Sequence, residues 1–309
     1  MDLQKLSFGI LGYGNQGRAH ALNLRESGVN VLIGARDGQG KTQALADGFE
    51  PLSFDEVAKR CDVLVFLLPD LVIPEVYRNL SPHFSKTKKA VGFAHGFVYT
   101  YKLIERFESC SYFLVGPKGA GAILRDQFVK GKGLPAVYAY SEGAKPLAEY
   151  YAEKIGCASS YLLETTFEEE TYCDLFGEQV VLCGGIMQMM EAAYETLVKK
   201  GMSKEMAFFE CCFESRMITE LWMKFGPKAF SEKISPTAFY GGLTRGQALV
   251  TSETKKKMEG MLEDVVSGKF AAEWKAEYEK GSPLLKAERK RLSESSLEKT
   301  YQEILKEMK

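Results

Sequence analysis

Residues 9–22 read GILGYGNQGRAHAL, and this stretch decides the fold of the first half of the chain. An apolar run leads into Gly12, a helical pattern follows Gly17, and the glycines form the pattern GxGxxG. Such glycines permit a tight turn and a close approach of backbone to a diphosphate, which the helix N-terminus then binds. Although a plain glycine-rich turn is the alternative, the context favours a dinucleotide site. The predicted cofactor-binding residues here are Gly12, Tyr13, Gly14, Asn15, Gln16 and Gly17.

Strand and helix signals alternate as far as "LLETTF", where the pattern changes. Apolar runs such as VNVLIGAR and DVLVFLLPD alternate with amphipathic stretches, which predicts a parallel sheet. Helical periodicity then dominates, and the predicted helices are 166–200, 203–225, 252–267 and 284–308. The sequence therefore predicts an α/β, Rossmann-like, doubly wound domain in residues 1–165 and an all-α domain in residues 166–309.

Composition limits the partners and the compartment. Of 309 residues 45% are hydrophobic, and 40 Lys and Arg nearly balance 41 Asp and Glu. Without a basic block or a long apolar run, we expect no nucleic-acid or membrane partner, a small-molecule ligand and a cytoplasmic location. The seven cysteines show no metal-ligand spacing, so they are expected to be reduced core thiols.

The choice of cofactor depends on the end of the second predicted strand. There the chain reads GARDGQGKT, with Arg36 first and Lys41 later. Two cations favour the 2′-phosphate of NADP(H), whereas Asp37 between them keeps NAD(H) possible because an acidic residue binds a ribose 2′-hydroxyl.

Two pairs of carboxylates interrupt apolar helical patterns in the second half. Asp174 and Glu178 lie four apart in CDLFGEQVVLCGG, and Glu210 and Glu214 lie four apart in FFECCFES. Like charges at this spacing destabilise a helix, and burying them unpaired costs more. Neutralisation by Arg216 and Lys224 is one interpretation. The other is a binuclear site for two Mg²⁺ ions, because hard oxygen donors suit Mg²⁺ or Mn²⁺.

A neighbouring acidic run is interpreted differently. Thr166 and Glu169 form a capping-box pattern that predicts a helix start near residue 167. Glu168, Glu169 and Glu170 would then be solvated residues of its first turn, where the helix dipole favours them.

These motifs together resemble the ketol-acid reductoisomerase family over nearly the whole chain. The stretches GYGNQGRAHALNLRESG, FAHGF, PKGAG, LETTFEEETYCDLFGEQVVLCGG, FFECCFES and LTRG follow that family's order and separations. The resemblance, to the short class of the family, implies a 6-phosphogluconate-dehydrogenase-like helical domain, interlocked in at least a homodimer. It also implies Mg²⁺-dependent alkyl migration in a 2-acetohydroxy acid, followed by NADPH reduction to a 2,3-dihydroxy acid in branched-chain amino-acid biosynthesis.

The resemblance also assigns roles to individual residues. It implies that Asp174 bridges the metals, that Glu178 joins it on the first, and that Glu210 and Glu214 serve the second. Ser235, with Glu214, is expected to bind substrate. The expected catalytic residues are His95, Lys118 and Glu214, and further cofactor contacts are expected at Pro69, Asp70 and His95. Arg18, His20 and His83 have ordinary helix-surface or loop interpretations.

Several positions depart from the family pattern and leave alternatives open. Gln39 and Lys41 stand where the family has Ser or Thr, Ile73 replaces a glutamine, and SPTAFYGG carries Phe239 and Gly242 in place of acids. A diverged paralogue that reduces a different 2-keto or 3-hydroxy acid is therefore one alternative. The others are a metal-free β-hydroxyacid-type dehydrogenase and a non-catalytic binding protein of the same fold.

Overall fold

A computed structural model covers the chain, and the structure describes residues 2–85 and 87–308. It divides into two compact units, Met1–Cys173 and Asp174–Lys309. None of the described helices is long and apolar enough to cross a membrane.

The first unit contains a seven-stranded sheet in the order β2-β1-β3-β4-β5-β6-β7. Its strands are β1 Ser7–Leu11, β2 Asn30–Gly34, β3 Val63–Phe66, β4 Ala90–Phe93, β5 Ser111–Pro117, β6 Ala136–Tyr140 and β7 Leu162–Glu164. The helices are α1 Asn15–Glu26, α2 Gln39–Ala46, α3 Phe54–Arg60, α4 Ile73–Leu80, α5 Phe97–Thr100, α6 Gly121–Val129 and α7 Lys145–Lys154. Short 3₁₀ turns lie at Leu3–Lys5 and Ser81–His83.

Alternate residues of β1 face helices on opposite sides of the sheet. Phe8 stacks on Tyr151 of α7, with ring centroids 5.9 Å apart. Gly9 points the other way, where an added Cβ would lie 2.4 Å from Val57 of α3. Strand β3 is buried throughout. Apolar runs buried on both faces are typical of parallel sheets covered by helices, which confirms the doubly wound α/β fold.

Strand β6 departs from the parallel sheet that the sequence predicts. Strands β1 to β5 are parallel, but β6 runs antiparallel to β5, and β7 runs parallel to β6. Ala136 pairs with Pro117, so β6 begins beside the point where β5 ends. The connection through α6 therefore begins and ends at the same end of the strands, the end at which β5 finishes, instead of crossing over to the end at which β5 begins.

Helix α8, Phe167–Gly177, begins as the capping pattern predicts. The backbone N–H of Glu169 donates to Thr166 Oγ1 at 3.0 Å, and Glu169 Oε2 accepts from Thr165 Oγ1 at 2.6 Å. The division between the two units falls within this helix.

The helix predicted at 252–267 is confirmed at Ser252–Val266, but the other predicted helices are divided. The described part of the second unit contains eight further helices after α8. They are α9 Gly185–Lys199, α10 Lys204–Phe208, α11 Glu214–Lys233, α12 Pro236–Leu249, α13 Ser252–Val266, α14 Lys269–Glu279, α15 Pro283–Glu294 and α16 Ser296–Glu307. Two π-helical segments, Glu178–Leu182 and Phe209–Phe213, interrupt the predicted helices 166–200 and 203–225. Helix α11 breaks at Gly226, whose φ is 74°, immediately before Pro227.

The burial of two residue types differs from expectation. Cys61 and Cys157 are buried, but Cys173 and Cys183 are exposed, so the expectation of core thiols is wrong for these two. His20 is fully buried rather than on a helix surface, and its Nδ1 lies 2.8 Å from Tyr151 Oη. Its position on α1 places it against α7, inside the core.

Burial of His20 predicts a pH-dependent stability. Desolvation lowers the pKa of His20 from 6.5 to about 3. The unfolded chain therefore binds a proton that the folded chain excludes, and stability falls as pH drops below 6.5. We expect the slope that His20 contributes to be about 1.4 kcal/mol per pH unit near pH 5 and half of that value at pH 6.5. Urea unfolding should show a flatter pH dependence in His20→Gln, and equal slopes would contradict this assignment.

Candidate cofactor and metal sites

The glycine loop forms the tight turn that its sequence predicts. Gly12 has φ of 102°, and a Cβ there would lie 2.5 Å from Leu67 O. A Cβ on Gly17 would lie 2.1 Å from Gly12 O. Only glycine fits at both positions because the backbone conformation and the close approach leave no space for a side chain.

A cavity of about 420 Å³ opens beside this loop. It lies where β1 and β2 end, next to the topological switch point at which an open α/β sheet binds its ligands. Gly14 lines it, and a Cβ on Gly14 would meet nothing within 4 Å, so the backbone is accessible to a diphosphate. The lining residues are Gly12, Tyr13, Gly14, Asn15, Arg18, Ala35, Arg36, Gln39, Gly40, Gln43, Phe54 and Leu68.

The two cationic residues predicted to bind the 2′-phosphate of NADP(H) have different surroundings in the structure. Arg36 lines this cavity and an adjoining one of about 480 Å³, which Lys41 and Asp37 also line. The Lys41 ammonium lies 2.7 Å from Asp37 Oδ1, and this hydrogen bond lowers the pKa of Asp37. Arg36 therefore lines the cofactor cavity, whereas the charge of Lys41 is partly balanced by Asp37.

Two residues of the glycine loop connect it to the PKGAG stretch. Gln16 Nε2 donates to Gly119 O at 3.0 Å, and Asn15 Oδ1 accepts from the Ala122 N–H at 3.1 Å. Gln16 does not line the cavity, although Asn15 does. Their side chains therefore join the cofactor loop to the segment that carries Lys118.

Other predicted residues follow the ends of neighbouring parallel strands. Pro69 and Asp70 follow β3, and Leu68 just before them lines the cavity. Lys118 follows β5, and its N–H donates to Pro135 O at 2.8 Å. Because β1 and β3 to β5 are parallel, these residues lie along one side of the sheet, at the carboxyl ends of its strands. Ile73, one of the departures, is only 3% exposed and packs in the core.

His95 also follows a strand of this edge, β4, and it is held by a residue that sequence reasoning missed. His95 Nδ1 lies 3.1 Å from Glu170 Oε2, which also accepts from the Gly96 N–H at 2.8 Å. Glu170 is 4% exposed, so its interpretation as a solvated first-turn residue is wrong. Thr171 beside it is also fully buried, and its Oγ1 lies 2.8 Å from Thr100 Oγ1, so this face of α8 is covered.

Gly14 provides a direct test of the cofactor cavity. We expect Gly14→Ala to weaken NADPH binding roughly tenfold, because the methyl group would enter the space that the diphosphate needs. Stability should change by less than about 0.5 kcal/mol, since the backbone is extended and the site is open. Fluorescence titration and thermal unfolding measure the two effects. Unchanged NADPH affinity would rule out this cavity as the diphosphate site.

The four predicted metal-binding carboxylates lie at or beside the π-helical segments. Asp174 lies on α8, and Glu178 begins the first π segment, where the Cys183 N–H donates to Glu178 O at 2.9 Å. Glu210 lies in the second segment, and Glu214 follows it, with its N–H bonded to Phe209 O. Bonds of this i to i+5 type are rare and occur frequently at functional sites.

The two cations named in the alternative interpretation, in which they neutralise these carboxylates, have other contacts. Arg216 lies 3.7 Å from Glu220, and the Lys224 ammonium lies over the Phe225 ring. Among residues 2–85 and 87–308, no ion pair to Glu210 or Glu214 is formed. The carboxylate oxygens of Glu210 and Glu214 are ligands of the kind that hard divalent cations prefer.

Ser235 lies at the N-cap of α12. Its Oγ accepts from the Ala238 N–H at 3.1 Å, so the hydroxyl has its proton available to donate. Phe239, one turn further on, is 43% exposed.

A doubly wound sheet with a glycine-loop cavity, followed by a helical unit with paired carboxylates, defines a class of nicotinamide-dependent oxidoreductases. The family profile for the acetohydroxy acid isomeroreductase NADPH-binding domain matches residues 2–160, and that for the ketol-acid reductoisomerase C-terminal domain matches residues 167–309. The chain belongs to the ketol-acid reductoisomerase family, and it is an NADP-dependent enzyme, both oxidoreductase and isomerase.

Individual relatives agree with this assignment. The chain is 43% identical to a ketol-acid reductoisomerase (NADP(+)) of Sulfurisphaera tokodaii, over 89% of this chain and 85% of that relative. It is 39% identical to one from Methanocaldococcus jannaschii, over 96% and 92%. The structure of an NADH-preferring ketol-acid reductoisomerase from an uncultured archean superposes with a TM-score of 0.93 at 39% identity, covering 98% and 95%.

Proposed function

We propose that this protein converts a 2-acetohydroxy acid of the 2-acetolactate type into a 2,3-dihydroxy acid in branched-chain amino-acid biosynthesis. An alkyl group migrates from C2 to the neighbouring carbonyl carbon, and NADPH then delivers a hydride to the new 2-keto group. The observation that carries the proposal is the occurrence of both carboxylate pairs at π-helical segments. A metal-free dehydrogenase would not need them.

The proposed metal ligands are Asp174, Glu178, Glu210 and Glu214, and the proposed ions are two Mg²⁺. When bound, divalent cations of this kind polarise a carbonyl and acidify a hydroxyl, which is what an alkyl migration requires. A set made only of carboxylates supports Mg²⁺ over zinc, which prefers His and Cys ligands.

The remaining polar residues bind and orient the substrate in this proposal. Ser235 donates its hydroxyl proton to the substrate carboxylate. Glu214 contacts the substrate in addition to its metal, and Lys118 holds an acidic group of the site. His95 lies beside the nicotinamide, with its imidazole fixed by Glu170. Pro69 and Asp70 complete the cofactor contacts.

The proposed cofactor preference is NADPH, with Arg36 at the 2′-phosphate. The Asp37–Lys41 pair supports NADH as the second candidate, because Asp37 is the type of residue that binds a ribose 2′-hydroxyl. One relative of similar identity is described as NADH-preferring. Both cofactors therefore belong in the activity assay.

We further propose that the protein is a homodimer or larger homo-oligomer through its helical unit. Helices α11 and α12, both fully described, have no buried residue. Trp222 is 45% exposed, Met223 70% and Tyr240 67%. Monomers rarely expose apolar patches of this kind, so a second copy is the proposed cover. Sedimentation should give at least twice the 34.5 kDa chain mass.

The free cysteines fit a reducing compartment such as the cytoplasm.

An assay of NADPH consumption tests the proposed reaction. The full-length protein is incubated with 2-acetolactate in the presence and absence of Mg²⁺, and the series is repeated with NADH. Turnover that requires Mg²⁺ and yields a 2,3-dihydroxy acid supports the proposal. Turnover of a 2-keto acid but not of 2-acetolactate would favour the diverged paralogue, for which the exposed Phe239 near Ser235 is the supporting observation.

A further inference from the structure

A carboxylate at the end of α2 joins three elements that line the cofactor cavity. Asp47 caps this helix, and its side chain is only 12% exposed. It accepts hydrogen bonds from Tyr13 Oη at 2.9 Å, from Arg18 Nε at 2.6 Å and from Arg18 Nη2 at 2.9 Å. Tyr13 belongs to the glycine loop and Arg18 to α1. Asp47 therefore fixes two side chains of the cavity wall from the opposite helix.

This two-point contact leaves one part of the Arg18 guanidinium available. Nε and Nη2 bind Asp47, and no bond from Nη1 is formed within the part of the chain that the structure describes. Arg18 lines the 420 Å³ cavity, and its side chain is 47% exposed. Arg18 is exposed on the surface of α1, as its sequence interpretation expects, and this part of the helix surface forms one wall of the cavity.

The charge of the cavity identifies the ligand group. A helix N-terminus offers a bound diphosphate only about half a positive charge. Arg36 follows β2, on the side expected for the adenosine ribose, and Lys41 is paired with Asp37. Arg18 lies one turn after Gly14 on α1, the helix whose N-terminus binds the diphosphate in this fold. A guanidinium provides the charge-assisted hydrogen bonds that phosphate oxygens accept.

We propose that Arg18 is a cofactor-binding residue that donates from Nη1 to the diphosphate of NADP(H), and that Asp47 is the residue that positions it. Asp47 has two opposing effects on the cofactor. It holds the guanidinium in the cavity wall, but its own negative charge repels phosphate. The geometry favours the first effect, because both Asp47 oxygens bind Arg18 and Asp47 Oδ2 also binds Tyr13.

Titration of the full-length enzyme with NADPH and with NADH tests the proposal. We expect Arg18→Gln to weaken both cofactors by the same factor, roughly tenfold, with the kinetic effect in KM for the cofactor. Arg18→Lys, which keeps the charge but loses the two-point geometry, should give an intermediate loss. Asp47→Asn should weaken both cofactors roughly threefold through KM rather than kcat. Lys130→Gln is the matched control, because it removes one cation of an exposed pair at the C-terminal end of α6, and Lys130 lines neither cavity.

Each contrary result overturns a defined part of the proposal. Unchanged affinity in Arg18→Gln would remove Arg18 from the site, and loss of NADPH affinity alone would move the contact to the 2′-phosphate. Tighter binding by Asp47→Asn would show that Asp47 acts only as a repelling charge. Thermal unfolding of each variant verifies the fold, and Arg18→Lys remains informative if Arg18→Gln does not fold.

Discussion

Asp174→Asn is expected to reduce kcat by on the order of a thousandfold while the chain remains folded, because the variant loses a carboxylate that would hold the proposed metal ions. The amide keeps the size of the side chain but removes the negative charge that divalent cations require. Mg²⁺ binding by calorimetry provides a readout that is independent of turnover, and we expect it to fall in parallel with kcat.

The matched control for Asp174→Asn is Glu168→Gln on the same helix. Glu168 is an exposed residue in the first turn of α8, and neutralising it should leave kcat within about twofold, as expected for a surface substitution. If Asp174→Asn keeps full activity, or if the wild type works after exhaustive chelation, the metal site is wrong. A metal-free dehydrogenase would then be the better interpretation.

Glu170→Gln is expected to have the second largest effect, a loss of roughly a hundredfold in kcat with cofactor affinity unchanged. The buried carboxylate holds His95 and the Gly96 N–H together. An amide can still accept from Gly96, but it offers His95 a weaker and differently oriented partner. We also expect a loss of about 2 kcal/mol in unfolding free energy, since the amide disturbs a buried side chain that contacts both His95 and the Gly96 N–H.

Steady-state kinetics and urea unfolding measure the two consequences of Glu170→Gln, again with Glu168→Gln as the control. A variant that loses stability but keeps kcat would show that Glu170 only supports the fold. A variant that keeps both would exclude any role for the contact with His95.

The strand pattern and the glycine loop could be predicted from sequence because both depend on local periodicity and local turn geometry. The strand β3, VLVF, is apolar at every position and is buried at every position. The direction of β6 could not be predicted, because a strand buried on both faces reads the same whether its neighbour is parallel or antiparallel. The direction of β6 depends on the path of the chain through α6, and the spacing of apolar residues carries no information about that path.

Two features of the candidate sites were also beyond sequence reasoning. A π-helical segment inserts a single residue into an otherwise continuous helical pattern, so Glu178 and Glu210 appear to continue regular helices. The burial of Glu170 depends on the Gly96 backbone, which lies 74 positions earlier in the chain. Charge at the start of a helix normally indicates solvent exposure, and only a contact distant in sequence reverses that expectation.

The contact between Glu170 and Gly96 also determines where the chain can be shortened. The NADPH-binding family profile ends at residue 160, before β7 and α8. A truncated nucleotide-binding fragment ending there would expose the Gly96 N–H and one side of His95 to water. Extending the fragment through Cys173 would retain Glu170, whose carboxylate accepts the hydrogen bond from the Gly96 N–H. The first turns of α8 thus cover the His95–Gly96 segment of the nucleotide-binding unit, and a truncated fragment should include them.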